Sequence, residues 1–170
     1  MPIKERLNSF RCEARAEFRC HVAPLLSARE VQDLDAYVQH VNFTRLAHSL
    51  DVAYLSFLIA KLLHLDSRSC ARGGLLHDFY YREDEAPNSL THMRNHAEEA
   101  LQNARAICIL NAVEEDIIRK HMWLITLSPP RYKESFIVCF VDKGCALRER
   151  LFGLSRRSRK RHRALNVRAV

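Results

Sequence analysis

Apolar residues recur at spacings of three and four through most of the chain. Ile3, Leu7, Phe10, Ala14, Phe18 and Val22 line one face of an amphipathic helix over 3–22. Ser27, with Glu30 three positions later, has the form of a capping box and predicts a second helix running to about His40. Asn42 or Thr44 opens a third, RLAHSLDVAYLSFLIAKLLHL, apolar nearly all round from Val52 to Leu65 and therefore central. Asp66 or Ser67 caps a fourth, SRSCARGGLLHDFYY, in which Gly73 and Gly74 lower helix propensity and point to close approach of another helix. The polar stretch 82–90 reads as a loop. Helices continue over about Ser89–Cys108 and Val113–Trp123, and the two prolines of 126–131 break the next connection. A last helix spans about Lys133–Phe152. No alternating run of useful length predicts a strand, and the ambiguous FIVCFV has helical flanks. The expectation is an all-α bundle of about six to seven helices. Helices within 1–40 pack on a core unit over 41–152, and residues 153–170 form a tail without fixed structure.

Composition narrows the class. The chain has 170 residues, 48 % of them hydrophobic, with only four Gly and five Pro, which argues against collagen-like, low-complexity and turn-rich β folds. No run of 18 apolar residues occurs, so no membrane helix is expected. The N-terminal segment is charged throughout, unlike a signal peptide. The six Cys form no CxxC pair, so the reading is a cytoplasmic protein with free thiols. The net charge of +7 belongs to the end of the chain: Arg156, Arg157, Arg159, Lys160, Arg161, Arg163 and Arg168 are seven basic residues with no acid among them. The body is neutral, so the high isoelectric point is no argument for nucleic-acid binding by the folded part. The tail either attracts nucleic acid or anionic lipid by counterion release or is simply solvated. Its lack of interleaved aromatics favours the solvated reading.

Candidate chemistry lies where polar residues interrupt apolar runs. His48 sits inside an apolar helix. His77 and Asp78 end GGLLHD, His96 opens HAEEAL, His121 ends IIRKH, and Asp142 comes directly after six apolar residues in FIVCFVD. Each points toward the interior or its rim. Burying an unpartnered polar group costs about 2–7 kcal/mol, so such groups need partners or cations. Imidazole with carboxylate suits Fe, Mn, Co, Ni or Zn better than Ca or Mg.

In this order, H…HD…H…H…D, the residues resemble the HD superfamily of metal-dependent phosphohydrolases over about 40–150. RLAHSLDVA is similar to its first motif, LLHD to its name-giving doublet, HAEEAL to the HPxxG-type motif of the subset with two extra histidines, and IIRKH and FVDKGCAL to that subset's closing motifs. The successive separations between His48, His77, His96, His121 and Asp142 are 29, 19, 25 and 21 residues. Among characterised branches the chain looks most like the bacterial symmetrical hydrolases of diadenosine tetraphosphate. It also resembles a group of small HD proteins of Clostridia-like bacteria. The resemblance implies an HD-domain helical bundle with two divalent metal ions. His48, His77 and Asp142 would hold one, His96 and His121 the other, and Asp78 would bridge them, with His77 and Asp78 the catalytic doublet. A shared hydroxide would attack a small phosphorylated substrate, a nucleotide or dinucleoside polyphosphate. A nucleotide-sensing domain without turnover and a single-metal 5'-nucleotidase are the alternatives.

Two departures bear on the substrate. The diadenosine tetraphosphate hydrolases carry a Lys shortly after the doublet; here the run is HDFYYREDEAP, and Arg82 is the available cation, with a fork that suits phosphate. HAEEAL lacks the Pro and Gly of HPxxG. Further candidates for substrate contact are His92, one turn before His96, Arg45, one turn before His48, and Arg131 with Lys133 after the proline loop. Asp51 is placed to orient His48.

Overall fold

The computed structural model describes residues 3–40, 43–81 and 90–152. Of the loop expected over 82–90, residues 82–89, with Arg82, lie outside the described residues, as does the tail 153–170. Within them the fold is all-α with one minimal sheet: α1 (Ile3–Leu26), α2 (Arg29–Gln32), a 3-10 turn (Asp33–Ala36), β1 (Val38–His40), β2 (Phe43–Thr44), α3 (Arg45–Leu62), α4 (Ser67–Leu76), α5 (Leu90–Ile107), α6 (Ala112–Lys120), α7 (Trp123–Thr126) and α8 (Lys133–Phe152).

Local chemistry sets most of the boundaries. The Thr44 hydroxyl accepts from the Ala47 amide at the start of α3, and the Asp66 carboxylate from the Ser69 amide at the start of α4. Asn111 and Glu114 cap α6 reciprocally, a box that moves its start ahead of the predicted Val113. α1 runs past its predicted end to Leu26. The predicted second helix is the main correction. Ser27 does not cap it; its hydroxyl donates to the Pro24 carbonyl and so finishes α1. The chain then makes one helical turn anchored by buried Val31, a 3-10 turn anchored by buried Leu34, and β1, paired antiparallel with β2. The fourth helix also stops early, at Leu76, because the His77 side chain takes a carbonyl of its last turn.

α3 is central, as its all-round apolar sequence requires, and packs against α4 on one side and α8 on another. One part of the core joins Ala14, Phe18, Val22 and Leu25 of α1 to Phe57, Ala71 and Leu75; another joins Val52 and Ala60 to Ile117, Val138 and Cys145. Both glycines of α4 sit at close approaches. A Cβ on Gly74 would come 2.9 Å from the Ala53 Cα of α3, and one on Gly73 would come 2.9 Å from the Ile117 side chain of α6. Arg72, beside them, donates to Glu114 at 2.6 Å in a buried ion pair that fixes α6 on α4. Among the described residues no helix is long and apolar enough to cross a membrane, and the six cysteines are free.

Candidate metal centre

Six buried ionisable side chains from helices and helix ends meet at one point. His48, His77 and His121 are at most 1 % exposed, and Asp78, His96 and Asp142 at most 8 %. His48 lies in the first turn of α3, His96 on α5 and Asp142 on α8. His77 and His121 are the residues immediately after α4 and α6.

The two helix ends use the same device. The last carbonyls of a helix lack intrahelical donors. The His77 Nδ1–H donates to the Gly74 carbonyl and the His121 Nδ1–H to the Ile118 carbonyl, both at 2.8 Å and both three residues back. Each bond ends its helix and commits Nδ1 as a donor to the backbone, so the Nε2 of both rings faces inward. His77 Nε2 makes no hydrogen bond although fully buried. It lies 3.3 Å from Asp78 Oδ2 and 3.8 Å from Asp142 Oδ1. His121 Nε2 faces His96 Nε2 at 3.0 Å and Asp78 Oδ1 at 3.3 Å, and His96 Nε2 is 3.6 Å from the same oxygen. His48 Nε2 lies 3.1 Å from Asp142 Oδ1, while its Nδ1 faces both Glu149 oxygens at 3.0 and 3.1 Å.

Inward ring nitrogens, an orphaned buried Nε2 and facing carboxylate oxygens are a donor set that fits divalent metal. Two triads have ligand atoms close enough to hold an ion, His48–His77–Asp78 and Asp78–His96–His121, with Asp78 common to both. Without an ion, protons perform the charge balancing. Burial opposes a charge on His48, but the bonds to Asp142 and Glu149 outweigh it and raise its pKa to about 9. Burial likewise opposes a charge on His77, and the fields of Asp78 and Asp142 lift it to about 10. Burial would raise both aspartates, yet the facing imidazoles hold Asp78 and Asp142 well below the usual carboxylate range.

Arg45 is expected to meet a substrate phosphate, but it is buried: its guanidinium stacks on Tyr80 and bonds to Gln39 and the Tyr80 carbonyl. Asp51, expected to orient His48, pairs with Arg148 at 2.6 Å. Arg131 is exposed, with its backbone amide donating to Asp116 and its guanidinium near the Tyr132 ring. The His92 side chain lies outside the described residues.

Three residues at the centre are not among the candidates that the sequence yields. Glu149, fully buried, fills the place expected of Asp51. It lies seven residues after Asp142, two turns along the same face of α8, a spacing that could have found it. Lys143 donates to Asp142 Oδ2 at 2.6 Å and to the His121 carbonyl at 3.1 Å, placing a half-buried cation at the rim. Gln39 donates to Asp78 Oδ2 at 2.6 Å from a segment whose sequence reads as helix, and nothing in the sequence marks it.

A family model described as HD domain matches residues 45–147. No curated protein and no solved structure matches the chain.

Proposed function

The chain belongs to the HD domain family, and from that premise we propose that it is a phosphohydrolase working with two divalent ions on a nucleotide or dinucleoside polyphosphate. In this reading His48, His77 and Asp142 hold one ion, His96 and His121 the other, and Asp78 serves both. The observation that carries it is the division of Asp78 between two histidine groups. Oδ2 faces His77 at 3.3 Å, while Oδ1 faces His121 at 3.3 Å and His96 at 3.6 Å. When bound, the cations acidify water and neutralise charge on the phosphoryl oxygens.

The chain's own residues supply the rest. The backbone bonds of His77 and His121 commit each Nδ1 to a carbonyl and so hold each ring with its Nε2 toward the centre before anything binds. Glu149 holds the Nδ1 proton of His48 and increases the basicity of its Nε2. Buried walls exclude bulk water and strengthen every charge interaction inside. Lys143, with its side chain 30 % exposed, offers a positive charge to an incoming phosphate from α8, since no Lys comes shortly after the His77–Asp78 doublet. Arg82, His92 and Arg131 complete the proposed phosphate contacts.

Elemental analysis of protein purified without added metal, followed by phosphate release from a panel of nucleotides, dinucleoside polyphosphates and sugar phosphates, tests the reading. The expected result is about two transition-metal ions per chain. His121→Ala should retain one. Asp78→Asn and His77→Ala should lower hydrolysis roughly a hundredfold or more. A fully metal-loaded protein inert on the whole panel would sink it.

A further inference from the structure

We propose that Gln39 and Arg45 act together as positioning residues that fix the rotation of the Asp78 carboxylate, so that β1, ahead of the matched HD domain, is a working part of the centre. The proposal rests on the reading of Asp78 as the ligand common to two ions.

The Gln39 carboxamide lies between a cation and an anion. Arg45 Nε donates to its Oε1 at 2.8 Å, and its Nε2 donates to Asp78 Oδ2 at 2.6 Å. A guanidinium has donors only, so the amide cannot turn round without setting its NH2 against Arg45 and its carbonyl against a carboxylate. Arg45 is itself immobilised. It is 2 % exposed, its Nη1 donates to the Tyr80 carbonyl at 2.7 Å, its guanidinium stacks 3.7 Å from the Tyr80 ring centroid, and its backbone amide donates to the Tyr37 carbonyl at 2.8 Å. Tyr80 continues the chain of contacts, its ring centroid lying 5.1 Å from that of His96. The clamp therefore touches the centre twice, at the Asp78 oxygen that faces His77 and at the ring of a histidine on the opposite side.

A carboxylate on a short stem retains one soft rotation, and in Asp78 that rotation decides which oxygen serves which histidine group. Gln39 stops it by engaging Oδ2 alone. The residue type suits the task. A neutral donor orients the carboxylate while leaving its charge available to cations. A Lys at this position would neutralise that charge, and a Glu would repel it. Because Gln39 lies outside residues 45–147, the HD motif does not include it.

The test is Gln39→Met, which keeps length and removes the donor, with Co²⁺ as the probe. Titration calorimetry gives affinity, visible absorption of the bound Co²⁺ reports its ligand geometry, and thermal melting without metal reports the fold. The expected result is a loss of Co²⁺ affinity of about tenfold to a hundredfold and an altered visible spectrum. The metal-free Tm should stay within about 2 °C of the parent. Gln39→Glu should restore neither affinity nor spectrum. Parental affinity and spectrum in Gln39→Met would overturn the proposal, and so would a large fall in metal-free Tm with an unchanged spectrum, which would make Gln39 merely structural. Failure of the parent protein itself to take up Co²⁺ would remove the metal centre and this proposal with it, a result visible before any variant is compared.

Discussion

One methyl group on α4 tests whether the contact between α3 and α4 sets the geometry of the centre. Gly74 and Gly144 are both helical, and neither has positive φ. On backbone preference alone, Ala should stabilise each helix by about 0.8–1.0 kcal/mol. At Gly144 a Cβ meets nothing within 4 Å, so Gly144→Ala should realise that gain. At Gly74 the new Cβ meets the Ala53 Cα at 2.9 Å and the Ala53 amide nitrogen at 3.3 Å, both backbone, where ordinary contact begins at 3.4 Å. A rotamer change cannot relieve that clash, so α3 must retreat. Overpacking of this kind costs about 1–3 kcal/mol. Set against the propensity gain, Gly74→Ala comes out neutral to about 2 kcal/mol destabilising. At about 2–4 °C per kcal/mol for a chain of this size, Gly144→Ala should melt about 2–4 °C higher and Gly74→Ala up to about 8 °C lower. The wedge also falls between two proposed ligands. Ala53 is five residues along α3 from His48, and Gly74 supplies the carbonyl that orients His77. Co²⁺ affinity should therefore fall severalfold in Gly74→Ala and stay at the parental value in Gly144→Ala. Thermal melting and calorimetry on the pair decide it. A Gly74→Ala protein that gains as much Tm as Gly144→Ala and binds Co²⁺ as the parent does would refute the reasoning.

The charges around His48 and His77 give two further expectations. Glu149→Gln keeps a partner for His48 Nδ1 but removes its charge; the His48 titration midpoint in metal-free protein should fall from about 9, and metal affinity by about tenfold, and an unmoved midpoint in an imidazole NMR titration would contradict the assignment. The raised pKa values of about 9 and about 10 also give a sign for pH dependence. A histidine held above its unfolded value of about 6.5 stabilises the metal-free fold fully below that value and loses the effect as pH rises through the folded one. Metal-free Tm should therefore decline from about pH 6.5 toward about pH 10. Metal binding needs neutral imidazoles, so uptake at about pH 7.5 should release about two protons, measurable by calorimetry in buffers of different ionisation enthalpy; release of none would mean that His48 and His77 are neutral before metal arrives.

Periodicity tells which residues share a face of one helix, and this is enough for the long helices; residue type gives the Thr44 and Asp66 caps and the close approach at Gly74, and the apolar flanks of six polar residues, with the resemblance of their order, give their convergence. It says little about which face of a distant helix lies opposite. Spacing along α3 pairs Asp51 with His48 because the two are three residues apart. In the structure α8 reassigns both: Arg148 takes Asp51, and its neighbour Glu149 takes His48. The segment 27–40 departs from its expected helix for a different reason. Its turns and short strand are held by tertiary contacts, such as the burial of Val31 and Leu34 and the Arg45 amide bond to the Tyr37 carbonyl, and these leave no repeat along the chain. The same limit hides Gln39, whose role exists only because Arg45 and Asp78 meet on either side of it. It also leaves a second cation unseen. Sequence points to the stretch just after His77–Asp78, where a cation is adjacent along the chain. The half-buried positive charge that the fold sets against Asp142 is Lys143 of α8, 65 positions further on than Asp78. In the proposed reading, a phosphate at the centre would meet Lys143 from α8, and substrate selection is to be sought around Lys143 as well as among the residues that follow Asp78 in the sequence.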